Sequence, residues 1–125
     1  MQSVGPIEKL YATYKDRAHF YVVYIREAHP IDGWDVPNNK FRITDPKTLE
    51  ERQKAARDFA KSLELTLPIL VDTMDDRVDN LYGGRPDRVY VIDADGKVAL
   101  KGGMGPSGFI PSVKTAVSVL EKLTK

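Results

Sequence analysis

The chain has 125 residues, 42% of them apolar, and 19 Lys and Arg against 18 Asp and Glu leave a net charge of +1. That is the length of one domain with enough apolar side chains for a core; with no basic block interleaved with aromatics it excludes a nucleic-acid partner, and with short apolar runs and no signal-peptide h-region in residues 1–20 it predicts no membrane partner and a cytoplasmic location. Cysteine is absent, which rules out disulfides, thiolate metal sites and thiol redox chemistry carried by these residues alone.

Ile7, Leu10, Tyr11 and Tyr14 recur at helical spacing behind Gly5 and Pro6, predicting an amphipathic helix over 6–16. "AHFYVVYI", 18–25, is a continuous apolar run, the pattern of a strand buried on both faces. Beyond a loop, Thr48 and Glu51 form a capping box, and Leu49, Ala56, Phe59, Ala60 and Leu63 extend a helix to about residue 63. "LPILVD" is a short strand, Asp76–Tyr82 a short helix stopped by Gly83 and Gly84, and Arg88–Asp93 a further strand. "DADG" turns that strand into "KVALKG" as a hairpin, with Gly96 taking the positive φ of the turn. Val113, Ala116, Val117, Leu120 and Leu123 form the stripe of a last helix starting near Pro111. The order α, β, α, β, α, β, β, α predicts one α/β domain, 1–125, with a mixed sheet.

Within this frame the stretch "YIREAHPIDGWD", Tyr24–Asp35, stands out. A strand run ends abruptly in Arg26, Glu27 and His29 before Pro30 and Gly33 turn the chain. Ligands in open α/β sheets bind at the carboxyl ends of strands, so charge placed there marks a candidate site. Asp32, Asp35, Glu27 and His29 also bear weighing as metal ligands, but their spacing fits no standard zinc or calcium pattern, so no metal is expected. "GGMGPSG", Gly102–Gly108, lacks the lysine and hydroxyl of a phosphate-binding loop and reads as a turn into the last helix.

"FYVVYIREAHPIDGWDVPNN" and "LPILVDTMDDRVDNLYGGRPDRVYVIDADGKVALKGGMGPSGF" together resemble the iodothyronine deiodinase family and its bacterial deiodinase-like relatives, which share a thioredoxin-like fold related to peroxiredoxins. The most specific piece is E-A-H-P-x-D-G-W, Glu27–Trp34. The resemblance implies an oxidoreductase that removes iodine reductively from iodothyronine-type substrates through a selenocysteine or cysteine, regenerated by a thiol reductant and requiring no bound cofactor. In the family that nucleophile sits between the first core strand and the helix that "MQSVGPIEKLYATYKD" resembles. The expectation is therefore that the nucleophile segment and the first core strand are missing before Met1, that the reading frame continues upstream, and that this chain is inactive. The first core strand would lie between the strands matching "AHFYVVYI" and "RVYVID". Its loss predicts that those strands pair directly, that residues 1–5 fill the slot, or, the reading preferred here, that a homodimer covers exposed edges.

The resemblance implies roles at matching positions. His29 would protonate the departing iodocarbon, and an imidazole titrating near neutrality suits that; otherwise it is a loop histidine before a proline. Glu27 would orient the imidazole, or pair with Arg26 or Arg88 for structure alone. Tyr24 and Arg88 would contact substrate, the forked guanidinium taking a carboxylate; alternatively Arg88 forms a strand-edge salt bridge. Independently of the resemblance, Trp34, the only tryptophan, would wall a hydrophobic cleft for an aromatic or iodinated phenolic ligand or anchor its long loop on the core. A second substrate-contacting histidine of some members aligns with Pro46. The alternative function is a non-catalytic thioredoxin-like binding or assembly module.

Overall fold

A computed structural model describes residues 4–26, 44–105 and 107–124. Its elements follow the expected order: α1 Val4–Tyr14, β1 Val22–Tyr24, α2 Leu49–Ser62, β2 Ile69–Val71, α3 Arg77–Tyr82, β3 Tyr90–Ile92, β4 Val98–Lys101 and α4 Phe109–Leu123. Two compact units result, one from Tyr21–Arg85 and one from Gln2–Phe20 together with Pro86–Lys125.

In the first unit β1 and β2 pair in parallel, Val22 opposite Ile69, Val23 opposite Leu70 and Tyr24 opposite Val71. The ladder continues at both ends, where the Val22 amide donates to Pro68 O and the Asp72 amide to Tyr24 O, each at 2.9 Å. Parallel strands need a crossover connection, and α2 lies in it, packing Ala55, Ala56 and Phe59 against Tyr24, Ile69 and Val71. The helix begins where the capping box predicts. Thr48 Oγ1 accepts the Glu51 amide at 3.1 Å, while the Glu51 carboxylate takes the Lys47 amide at 2.6 Å, one residue ahead of the usual partner. Leu49, expected on the buried stripe, is 45% exposed, because it precedes the turn of α2 that meets the strands.

The second unit packs α1 and α4 with the β3–β4 hairpin around Leu10, Tyr14, Val91, Val113, Ala116 and Leu120. The hairpin is antiparallel, with a register shift between Val91 and Ile92. Its turn is closed by Asp93, whose Oδ1 accepts the Asp95 and Lys97 amides, and Gly96 adopts φ 80 as the turn demands. α4 starts at Phe109, ahead of Pro111; a proline in the first helical turn gives up an amide that has no intrahelical acceptor anyway. The buried face of α4 also differs from the apolar stripe. Ser112 is buried while Val117 is 42% exposed, since Ser112 Oγ donates to Gly108 O at 2.6 Å and accepts the Gly103 amide at 2.8 Å, tying the helix start to the turn after β4.

The apolar run 18–25 does not form one long strand. Ala18 and Phe20 pack on the core of the second unit, Tyr21 is 59% exposed, and only Val22–Tyr24 enter the ladder. Continuous hydrophobicity reports burial without saying against which core. Where one mixed sheet is expected, the described residues form two two-stranded sheets, parallel β1–β2 and antiparallel β3–β4; the described ladders include none between 19–25 and 88–93.

Gly102 gives the second unit its closest backbone approach: a Cβ there would stand 2.6 Å from Val89 O and 2.9 Å from the Ser112 side chain. Its own amide donates to Val89 O at 2.8 Å. Gly102→Ala is expected to force strand and helix apart and to destabilise the protein by about 1–3 kcal/mol, measured by urea unfolding.

Candidate site at the carboxyl ends of β1 and β2

Because β1 and β2 run parallel, both deliver their carboxyl ends to the same edge of the ladder. Tyr24, Ile25 and Arg26 leave β1 there, and Asp72, Thr73 and the turn leading into α3 leave β2. Three attachments fix the exit of β1. Tyr24 O accepts the Asp72 amide. Ile25 Cδ1 lies against Gly84, 3.6 Å from where a Cβ would stand. The Arg26 guanidinium reaches the Asp45 carboxylate at 3.1 Å. Lys47 adds a second cation 3.6 Å from the same carboxylate.

Of the residues singled out in the sequence, Tyr24 sits at this edge with its ring turned inward, buried and edge-on to Phe59 at 5.4 Å between centroids. Arg88 belongs to the second unit, just ahead of β3, half-buried with Nε enclosed. Glu27, His29 and Trp34, and with them Asp32 and Asp35, lie outside the described residues. Pro46 is buried beside Asp45.

The most built part of the edge involves residues that the sequence reading did not single out. Arg52 of α2 is 2% exposed and Asp72 1%. The Arg52 fork donates from Nη1 to Thr73 O at 2.7 Å and, at 3.5 Å, to Asp72 O, and from Nη2 to Asp76 Oδ1 at 2.9 Å. Asp72 accepts three amides, from Thr73 and Val78 on Oδ1 and from Asp79 on Oδ2, at 2.8 to 3.0 Å. α3 therefore takes its cap from Asp72, four residues ahead of its formal cap Asp76, which makes no side-chain cap bond and whose carboxylate is engaged with Arg52. At the far end Gly83 ends the helix with φ 58, and Asp79 closes the circuit by accepting the Arg85 amide at 3.0 Å and the Arg85 guanidinium at 2.6 Å. A signal for Arg52 was present: Arg52, Ala55, Ala56 and Phe59 share one helical face, so the arginine occupies the buried stripe.

Both Nη atoms of Arg52 and the carboxylates of Asp72, Asp76 and Asp79 are directed at other parts of the chain, while Arg52 Nε is enclosed without a hydrogen-bond partner among the described residues. The network shapes the edge and carries no nucleophile. Burial pushes the Asp72 carboxyl up, but the amide bonds from Asp79, Val78 and Thr73 and the Arg52 charge outweigh it and leave Asp72 below the usual carboxylate range. Asp87, beside Arg88 in sequence, goes the other way: burial alone pushes its carboxyl up. Its Oδ1 is enclosed without a hydrogen-bond partner among the described residues, where a Cβ on Gly105 would collide with it.

The two shifts have opposite consequences for stability. Asp72 is depressed in the fold, so its stabilisation is present above the unfolded carboxylate pKa and is lost as the pH falls through the lower folded value. Asp87 is raised, so its neutral form favours the fold at low pH and that advantage is lost as the pH rises through the folded value. Asp72→Asn is expected to cost about 1–3 kcal/mol at neutral pH, since an amide NH2 would face a backbone donor, and to flatten the acid limb of the stability curve. Asp87→Asn is expected to unfold at higher urea than the parent at neutral pH and to lose that advantage in acid. Urea titrations across pH 3 to 7 check both.

The iodothyronine deiodinase family model matches residues 1–124. Among curated relatives, the type I iodothyronine deiodinase of Xenopus laevis is 34% identical over 119 residues, covering 95% of this chain and 45% of that protein. The thyroxine 5-deiodinase of Gallus gallus is 37% identical over 109 residues, 87% of this chain and 42% of the relative. The thyroxine 5-deiodinase of Homo sapiens is 32% identical over 109 residues, with 87% and 35% covered. The chain thus spans less than half the length of these relatives. With a match over almost all of its residues, and with an α/β architecture that agrees with the family's thioredoxin-like fold, the chain belongs to the iodothyronine deiodinase family.

Proposed function

We propose that this chain carries the substrate-facing part of a deiodinase-type oxidoreductase, acting on an iodinated phenolic compound with a thiol as reductant. The observation that supports the reading most directly is the built carboxyl edge at the end of β1, where the strand run passes into the E-A-H-P-x-D-G-W segment. The names of the relatives point to iodothyronine chemistry.

In this reading a selenolate or thiolate attacks the iodine of an aryl iodide. The carbon–iodine bond breaks, its electron pair stays on the aryl carbon, and His29 delivers the proton that completes the carbon–hydrogen bond. Glu27 orients and stabilises the His29 imidazolium, Tyr24 and Trp34 bound the ring, and Arg88 takes the substrate carboxylate. Two equivalents of thiol then reduce the chalcogen–iodine bond, releasing iodide and a disulfide and restoring the nucleophile. The sequence has no cysteine, and serine or tyrosine oxygens do not perform this reversible two-electron exchange. The nucleophile therefore has to come from outside these 125 residues. The same lack of cysteine favours a second reading, a thioredoxin-like module that retains the cleft for binding alone.

Purified as these 125 residues, the protein is expected to show no thiol-dependent release of iodide above blank. It is expected to bind diiodotyrosine, with quenching of Trp34 fluorescence that weakens about tenfold or more in His29→Ala and in Arg88→Ala, the loss of one or two charge-assisted contacts. Turnover without an added nucleophile contradicts the mechanism. Quenching identical in both variants and the parent contradicts the assigned residues.

A homodimer is part of the same proposal. Large apolar side chains are exposed on both units, Tyr21, Leu70 and Leu81 on the first and Ile92 and Val98 on the second, and such surface recruits a second copy. Size-exclusion chromatography with light scattering is expected to give twice the 14.0 kDa chain mass, and a monodisperse monomer at micromolar concentration would overturn it.

A further inference from the structure

We propose that Arg52 is a positioning residue for the ligand-facing edge: acting through the turn Asp72–Asp76, it holds the exit of β1 at Tyr24–Arg26 in a single arrangement. That this edge faces a ligand rests on the deiodinase-type reading above; the positioning rests on geometry alone.

Four observations carry it. Arg52 occupies the apolar stripe of α2, where a leucine or methionine would pack without desolvating a charge. Its guanidinium is too deeply buried to meet a ligand itself, and its acceptors among the described residues lie on the turn: Asp72 O, Thr73 O and Asp76 Oδ1. Asp76 adopts φ 57, a left-handed conformation sparsely populated by non-glycine residues, and its carboxylate is gripped by Arg52, with Arg85 at 3.8 Å on the other oxygen. The turn is in turn bonded to the β1 exit, through the Asp72 amide to Tyr24 O. A planar fork reaching two carbonyls and a carboxylate fixes orientation as well as distance, which a single apolar contact does not.

Removing one partner of a buried ion pair is costly when the other charge is left buried and alone, but Asp76 is 17% exposed and keeps Arg85 beside its other oxygen, so losing Arg52 leaves no enclosed lone charge, and this separates positioning from general support. In Arg52→Met the thermal midpoint is expected to stay within a few degrees of the parent, while amide exchange at Thr73, Val78 and Asp79 quickens by about tenfold or more. Diiodotyrosine binding, followed by calorimetry, is expected to weaken by about tenfold. Asp76→Asn keeps a residue tolerant of the left-handed conformation while removing the ion pair, and is expected to quicken the same amides; it decides the matter if Arg52→Met does not fold. Unchanged exchange at these three amides overturns the proposal. So does exchange raised uniformly through α2 and β2 in step with a lowered midpoint, and so does binding unaffected by a loosened turn. If the parent binds no diiodotyrosine, the deiodinase-type reading of the edge fails, and the exchange comparison still decides whether Arg52 positions it.

Discussion

The carboxyl edge of the first unit depends on burying a guanidinium without leaving it unpaired. Removing Arg52 from water is costly, and only a cage of acceptors with good geometry offsets it. The cage is the turn after β2, so the cost of the charge is met by the same backbone that has to be held still. Two carbonyls turn toward α2, and Asp76 takes a left-handed conformation with its carboxylate on the guanidinium. With the Asp76 carboxylate so engaged, Asp72 supplies the cap that α3 needs. One desolvated cation thus links the conformation of the turn with the origin of the cap.

Asp72 shows how such a site is kept ionised in a buried position. Enclosure by itself would favour the neutral acid, yet three amides point at the two oxygens and a cation stands behind them. Asp87 provides the contrast within the same chain: enclosed against a glycine, it has no described donor aimed at its buried oxygen and is pushed toward the neutral form. The difference between the two aspartates lies in the N–H groups and the Arg52 charge around Asp72, which more than offset a deeper burial than that of Asp87.

Family membership and the geometry meet at the end of β1. The relatives carry deiodinase names, the family model covers the chain almost completely, and Tyr24 stands where the strand gives way to the Glu27–Trp34 segment. Tyr24 itself is part of the packing beneath the edge, its ring held against Phe59. Its hydroxyl is enclosed as well, so the side chain supports the edge from beneath.

Sequence by itself determined the order of elements, the Thr48 cap, the Asp93–Gly96 hairpin turn and the family, because each is written in local spacing: periodicity of apolar residues, a hydroxyl three residues ahead of a glutamate, a glycine where φ must be positive, a rare eight-residue string. It also placed the candidate site at the end of β1. Only the tertiary structure decided that the run 18–25 divides between two packing centres, since hydrophobicity does not say which core a side chain joins. Only it decided that Ser112 is buried and Val117 exposed, because the Ser112 hydroxyl, besides bonding Gly108 O at the start of its own helix, takes the Gly103 amide from the turn after β4. Arg52 is the clearest case. Its place on the apolar stripe was legible, but an arginine there reads as a charge bordering a core until its three acceptors, which lie 20 to 24 residues further along the chain, are brought around it by the pairing of β1 with β2.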